Sequence, residues 1–164
     1  MTITSGRNKK LVSWAAAAAV VATVVPVIML SGAAPAQADD GGLLAAANAE
    51  RAKNGCPAWV RNPALQAAAQ SHVDDILKNG TKDGHTGSDG STPASRAAAN
   101  GWTGSPAGEI NVGGMGSASP QAAIDLWLTD GHKYAFSDCT TTDAGAVYET
   151  NDVGWNANIT AAAR

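Results

Sequence analysis

The residues of this chain with chemistry to offer are three histidines, one glutamate set between a glycine and an apolar run, and two cysteines. His85 stands in "GHTGSDGSTPASR", Gly84 to Arg96, a loop with few side chains able to bury an imidazole, so the ring either lies in water or points at something. His132 stands in "DGHK", and both histidines occupy loop-to-helix junctions among glycines, where backbone can be shaped around a site. Glu109 falls midway between them, after Gly108 and before the strand-like "INV". Two neutral imidazoles and a carboxylate form a ligand set for one divalent ion, zinc first, with an open fourth position. Spacing alone leaves an alternative standing, in which Glu109 pairs with a cationic or hydrogen-bonding neighbour. His72 borders the apolar stripe of a helical stretch and reads as a partly buried or surface residue.

Other chemistries find less support. No two histidines stand four apart as in an H-E-x-x-H helix, and no G-x-S-x-G elbow is present. "DGHTGSDG" lacks the terminal glutamate of a calcium loop, and His85, Asp89 and Ser91 are neighbours along one loop, which rarely adopt triad geometry.

The ends of the chain set the compartment. Arg7, Lys9 and Lys10 precede an apolar run from Trp14 to Leu30 and the small-residue stretch "SGAAPAQA", which predicts a signal peptide over 1–38 cleaved after Ala38, a retained anchor being the alternative. Cleavage removes three of 11 basic residues and none of 14 acidic ones, leaving eight against 14 and a net charge of −6. That charge argues against nucleic acid or an anionic membrane as partner, and no later stretch is apolar enough to span a bilayer. Residues 39–164 suffice for one domain with a single core. In an oxidising compartment the only intramolecular pairing of two cysteines is Cys56–Cys139, and a disulfide is expected there, with two free buried thiols as the alternative.

Four helices are punctuated in the sequence. "GGLLAAANAERAKNG" ends on the stop signal Asn54-Gly55. Asn62-Pro63, Thr92-Pro93 and Ser119-Pro120 each supply a cap followed by proline in the first turn, opening helices that run to Gly80, to Asn100-Gly101 and through "SASPQAAIDLWLTDGH". "GEINVGG" at 108–114 reads as a strand, and "AGAVYETNDVGWNANIT" as a hairpin about Asn151-Asp152. Helices early and a hairpin late predict an α+β domain with helices packed on a small antiparallel sheet. Trp59, Trp102, Trp127 and Trp155 are spread without a stacking ladder and read as core and cleft packing.

In this order, "LLAAANAERAKNG", "NPALQAAAQSHVDDILKNG", "HTGSDGSTPASRAAANGW", "GEI" and a tryptophan followed by "GH" resemble the CAP superfamily of cysteine-rich secretory, antigen 5 and pathogenesis-related proteins, most of all its short bacterial branch. The likeness spans about residues 41–160. It implies a three-layer α-β-α sandwich whose central cleft holds His85 as first histidine, Glu109 as the glutamate of G-E-N and His132 as second histidine, with Asp130 where longer members carry a glutamate. Three departures stand out: Ile110 replaces the asparagine of G-E-N, Asp130 sits only two residues before His132, and the tail after Trp155 is short and polar for a final core strand, so an imperfectly closed sheet is expected.

The resemblance implies a secreted or cell-envelope protein, monomeric, more a binding protein than an enzyme. Its cleft would hold a divalent metal through His85, Glu109 and His132, with a lipid, sterol or peptide as further ligand. The alternatives are a metal-dependent hydrolase with Glu109 or Asp130 as general base, and a structural or interaction module.

Overall fold

The computed structural model describes Asp40 and residues 42–164. The leader expected over 1–38 lies outside the described residues. Five helices and four strands follow in the order α1 (Leu43–Lys53), β1 (Val60–Arg61), α2 (Pro63–Asn79), α3 (Pro93–Ala99), β2 (Gly108–Met115), α4 (Pro120–Thr129), α5 (Tyr134–Ser137), β3 (Asp143–Thr150) and β4 (Gly154–Ala162).

The capping devices operate as the sequence indicates. Asn62 Oδ1 accepts from the backbone N–H of Ala64 at 2.9 Å, and Ser119 Oγ accepts from Ala122 at 3.1 Å. At α3, Thr92 and Ser95 form a reciprocal capping box. In each case a side-chain oxygen satisfies a donor that the first helical turn leaves without a partner.

The sheet order is β1-β3-β4-β2. β3 and β4 form the expected hairpin, with Asn151 Oδ1 accepting from the N–H groups of Val153 and Gly154, both at 2.9 Å. β2 pairs antiparallel with β4 in unbroken register from Gly108↔Ala161 to Met115↔Gly154. The two-residue β1, which periodicity is too short to reveal, joins β3 in parallel. Beyond β1 the exposed edge of β3 is completed by a side chain: Gln66 donates from Nε2 to the carbonyl O of Ala146 at 2.8 Å and accepts from Ala146 N at 3.1 Å. The tail after Trp155 corrects one expectation. β4 is an interior strand paired on both sides, and its polar residues Asn156, Asn158 and Thr160 are all buried.

Period-2 alternation gives the sheet two unlike faces. Ile110, Ala144, Ala146, Trp155, Ala157 and Ile159 face one way and pack on Leu43, Leu44 and Ala47 of α1, Ala123, Ile124 and Trp127 of α4, and Phe136 of α5. Glu109, Asn111, Val147, Asn158 and Thr160 occupy the alternate positions, facing α2. The result is the three-layer α-β-α sandwich, with an apolar interior between sheet and α1/α4 and a partly polar one beneath α2 and α3. The cysteines meet as expected in a Cys56–Cys139 disulfide that ties the segment after α1 to the segment after α5. Beside it the fully buried Arg51 donates to the carbonyl oxygens of Pro57, Asp138 and Thr141 at 3.0, 2.9 and 3.0 Å, and its guanidinium lies 4.3 Å from the Trp59 ring centroid.

A candidate functional site around Glu109

Glu109 projects from β2 toward α2, and its side chain is 0% exposed. A carboxylate in such a place is stable only if paired and hydrogen-bonded. Arg96 of α3 supplies the cation: its Nη2 donates to Glu109 Oε2 at 2.8 Å and to the carbonyl O of His85 at 3.1 Å, while Nη1 donates to the carbonyl O of Ser91 at 3.1 Å. One guanidinium therefore clamps both ends of the 85–91 loop to the edge strand. The other carboxylate oxygen, Oε1, accepts from His85 Nδ1 at 3.1 Å and lies 3.4 Å from His72 Nε2. His72 Nε2 also donates to the carbonyl O of Gly84 at 3.0 Å.

The loop that carries His85 is held from below as well. Asp83 accepts from the N–H groups of Thr86 and His85 at 2.7 and 2.9 Å and from the Thr86 hydroxyl at 2.7 Å, and these bonds hold its carboxyl well below the usual carboxylate range. Asp75 of α2 accepts from the Ser88 hydroxyl at 2.5 Å, the Ser88 N–H at 2.6 Å and Asn79 at 2.7 Å, which lowers its pKa to about 2. His85 is thus fixed at its backbone by Asp83 and Arg96 and at its ring by Glu109. The ring itself remains 41% exposed.

These contacts settle the tautomers by chemistry of the partner. A carboxylate only accepts, so in the neutral His85 ring Nδ1 carries the proton and Nε2 keeps its lone pair. His132 follows the same rule: Asp130 Oδ1 accepts from its Nδ1 at 2.6 Å and from its backbone N–H at 3.2 Å. That ring is 30% exposed and lies 6.3 Å, centroid to centroid, from Tyr134.

The sequence-derived site residues therefore divide. His85 and Glu109 are brought together; His132 is bound to Asp130, and among the described residues neither makes a hydrogen bond or ion pair to Glu109 or His85. No group of three or more His, Cys, Asp or Glu side chains among the described residues is arranged to hold a metal ion. Arg96 and the two imidazoles of His72 and His85 engage both oxygens of Glu109. His85 and His132 each present a bare Nε2 with a carboxylate behind Nδ1, the arrangement that orients a ligating histidine. His72 is a correction: it is fully buried and belongs to the Glu109 cluster. Arg96 lies within "HTGSDGSTPASRAAANGW" but nothing there assigns it a role; its signal in the sequence is a lone charge in "PASRAAA", a helix otherwise made of small residues.

On the opposite face of the sheet, a cavity of about 330 Å³ opens between β2, β4 and α5, with Trp59, Ile110, Tyr134, Ala135 and Ile159 among its walls. Its size lies within the range of small-molecule pockets, about 300–1,000 Å³.

Fold, clamped glutamate, two carboxylate-backed histidines and disulfide define a disulfide-tied α-β-α domain, and sequence comparison gives it a family. The model of the Cysteine-rich secretory protein family, CAP, matches residues 44–163, and the chain belongs to that family. No curated protein is similar enough in sequence to match. Among solved structures, an extracellular protein containing an SCP domain from Bacillus anthracis is 18% identical with a TM-score of 0.63, over 77% of this chain and 40% of that one. An outer surface protein of Borrelia burgdorferi is 18% identical with a TM-score of 0.62, over 74% of this chain and 90% of its own. A cysteine-rich secretory protein from Staphylococcus aureus gives 14% and 0.54, again over 77% of this chain and 40% of that one. The chain thus spans about two fifths of the Bacillus and Staphylococcus proteins.

Proposed function

We propose that this CAP domain acts outside the cytoplasm as a non-enzymatic binding module whose ligand is lipid-like and lies in the cavity beside Ile110 and Tyr134. One observation carries the non-enzymatic reading: Glu109, the buried carboxylate of the site, has both oxygens engaged by Arg96, His85 and His72. A general base needs a free oxygen within hydrogen-bond reach of a substrate proton. Asp130, the other candidate base, accepts from His132 through Oδ1 and, among the described residues, makes no hydrogen bond or ion pair to the Glu109 cluster. The disulfide and the leader expected in the sequence favour export. The test is displacement of a fluorescent fatty acid or sterol from the purified full chain, with Ala135→Trp made to fill the cavity and p-nitrophenyl esters offered in parallel. Binding that Ala135→Trp abolishes, without ester turnover, is expected; turnover lost in Glu109→Gln would overturn the reading.

A second reading, zinc binding, is favoured by the bare Nε2 atoms of His85 and His132. Bound zinc would supply Lewis acidity and a site for an anionic headgroup; the chain supplies the two imidazoles and, through Glu109 and Asp130, their orientation. Thermal unfolding with and without zinc tests it. A rise in melting temperature that disappears in the His85→Ala, His132→Ala double variant is expected, and equal behaviour of the two proteins would remove it.

A further inference from the structure

The charges around the cavity between β2, β4 and α5 are of one sign. Among the described residues no lysine, arginine or histidine lines it, and the two charged residues that do are Glu109 and Asp138. Glu109 offers it no charge: the carboxylate projects to the other face of the sheet, is 0% exposed and is held by Arg96. Asp138 is therefore the charged group that a ligand there meets.

This carboxylate is available. Asp138 is partly exposed, and its Oδ1 accepts from the N–H and the hydroxyl of Thr140 at 2.9 and 2.6 Å. Its Oδ2 accepts no hydrogen bond among the described residues and is not one of the buried atoms left without a partner. The Thr140 bonds, with a smaller contribution from the Arg51 charge, hold the carboxyl below its ordinary pKa, so it stays ionised in mildly acid solution. Arg51 itself lies out of a ligand's reach, fully buried with its guanidinium spent on the carbonyl oxygens of Pro57, Asp138 and Thr141.

Tyr134 stands one helical turn before Asp138, whose N–H donates to the Tyr134 carbonyl O at 3.0 Å, and both residues line the cavity. Residues four apart along a helix share a side, so α5 presents an aromatic ring and a carboxylate together. The Tyr134 residue is 60% exposed. The face of such a ring attracts a cation, and a carboxylate beside it adds a charge-assisted hydrogen bond or an ion pair. Next to them Pro106, Ala135 and Ala161 form an apolar wall.

We propose that the ligand of this cavity is a cationic amphiphile, its ammonium group held between Asp138 and Tyr134 and its alkyl chain lying against Pro106, Ala135 and Ala161. The assignment rests on the lipid-binding reading above and names the headgroup. A fatty acid would bring its carboxylate to Asp138 with no cation in the lining to offset the repulsion, and like charges brought together are disfavoured.

The test is an NMR titration of the 15N-labelled full chain with decyltrimethylammonium, decanol and decanoate, each below its micelle concentration and at physiological salt. Saturable shifts at Gly108, Ala135, Thr140 and Ala161 are expected with the cation, at an affinity roughly tenfold above that of decanoate, with decanol between them. Asp138→Asn keeps an oxygen for the Thr140 N–H and is expected to bring the cation down to the affinity of decanol. Tyr134→Ala, at an exposed position, is expected to weaken the cation more than the alcohol. Asp152→Asn removes the same charge at the β3–β4 turn and is expected to leave the order unchanged, which separates a site from general attraction to an acidic protein. Cosedimentation with phosphatidylcholine vesicles would mark a membrane headgroup as the source of the cation, and binding of the monomer alone a free amphiphile. Equal affinities, tightest binding of decanoate, or a preference unchanged in both Asp138→Asn and Tyr134→Ala would overturn the headgroup assignment and leave the lipid-like reading standing. Failure of all three compounds to bind would overturn both.

Discussion

Arg96 and Glu109 form a buried ion pair, Nη2 to Oε2 at 2.8 Å, in which the same nitrogen also holds the His85 carbonyl. This pair is the join between α3, the 85–91 loop and the edge strand. It fixes the loop that carries the exposed His85 ring and engages one oxygen of Glu109. His85 is thus positioned by a cation that the sequence motifs do not single out.

Removing one partner of this pair strands the other in the interior. Arg96→Met is expected to cost about 3–5 kcal/mol, visible as a fall in melting temperature of roughly 10 °C or more. The double variant Arg96→Met, Glu109→Leu is expected to lose less than the sum of the single losses, with a coupling of about 1 kcal/mol or more. Additive single losses, measured by urea unfolding of all four proteins, would show that the two groups do not depend on each other.

Asp75 gives the same loop a pH dependence. Its hydrogen bonds to Ser88 and Asn79 lower its pKa from 3.8 to about 2 in the folded protein. A depressed carboxylate contributes stability above its unfolded value and loses it as pH falls through the folded one. The loss is therefore expected between about pH 4 and pH 2. Asp75→Asn should flatten that part of the stability curve while leaving the neutral region lower and level, which denaturation midpoints across the range would record.

What could be read from the chain follows from local chemistry. Asn62-Pro63, Thr92-Pro93 and Ser119-Pro120 announce their helices because each cap is satisfied within its own first turn. The β3–β4 hairpin is legible for the same reason, since Asn151 closes it with its own side chain. β1 and α5 are too short to show a period, and they exist through long-range contacts, β1 through β3 and α5 through Phe136 in the apolar core. The polar residues of β4 read as a weak strand, yet the face they occupy is covered by α2 and stitched internally, as in Asn158 to Asn111 and Thr160 to Asn158. His85 and Glu109 were legible by type and by motif. Their true partners, His72 and Arg96, depend on which faces of α2 and α3 meet β2, and no local pattern encodes that.

The disulfide closes a separation of 83 residues. Chain-entropy arguments assign such a loop about 4–5 kcal/mol of stability through the unfolded state. Cys56→Ala, Cys139→Ala is expected to lose most of that, with a lower urea midpoint and the Glu109 cluster unchanged in NMR spectra of the folded form. Loss of the His85 and Arg96 resonances at their native positions would instead mean that the bridge shapes the site.

The backbone of α2 closely approaches the sheet at Gly145 of β3. A Cβ there would lie 2.2 Å from the backbone N of Gln66 and 2.3 Å from the carbonyl C and O of Leu65. Those atoms are helix backbone, so they yield only if α2 moves bodily away from the sheet. Such a shift would stretch the paired bonds between the Gln66 carboxamide and Ala146, and would lift His72 from Glu109 at the other end of the same contact. Overpacking of this kind costs about 1–3 kcal/mol where side chains can adjust, and more where backbone is the obstacle. Gly145→Ala is accordingly expected to destabilise the domain by roughly 3 kcal/mol or more and to perturb His72 and His85 together in NMR spectra. Gly108→Ala, by contrast, would place its new methyl group in open space and is expected to change stability little. Equal stability of the two variants would mean that α2 does not rest on β3 at this point.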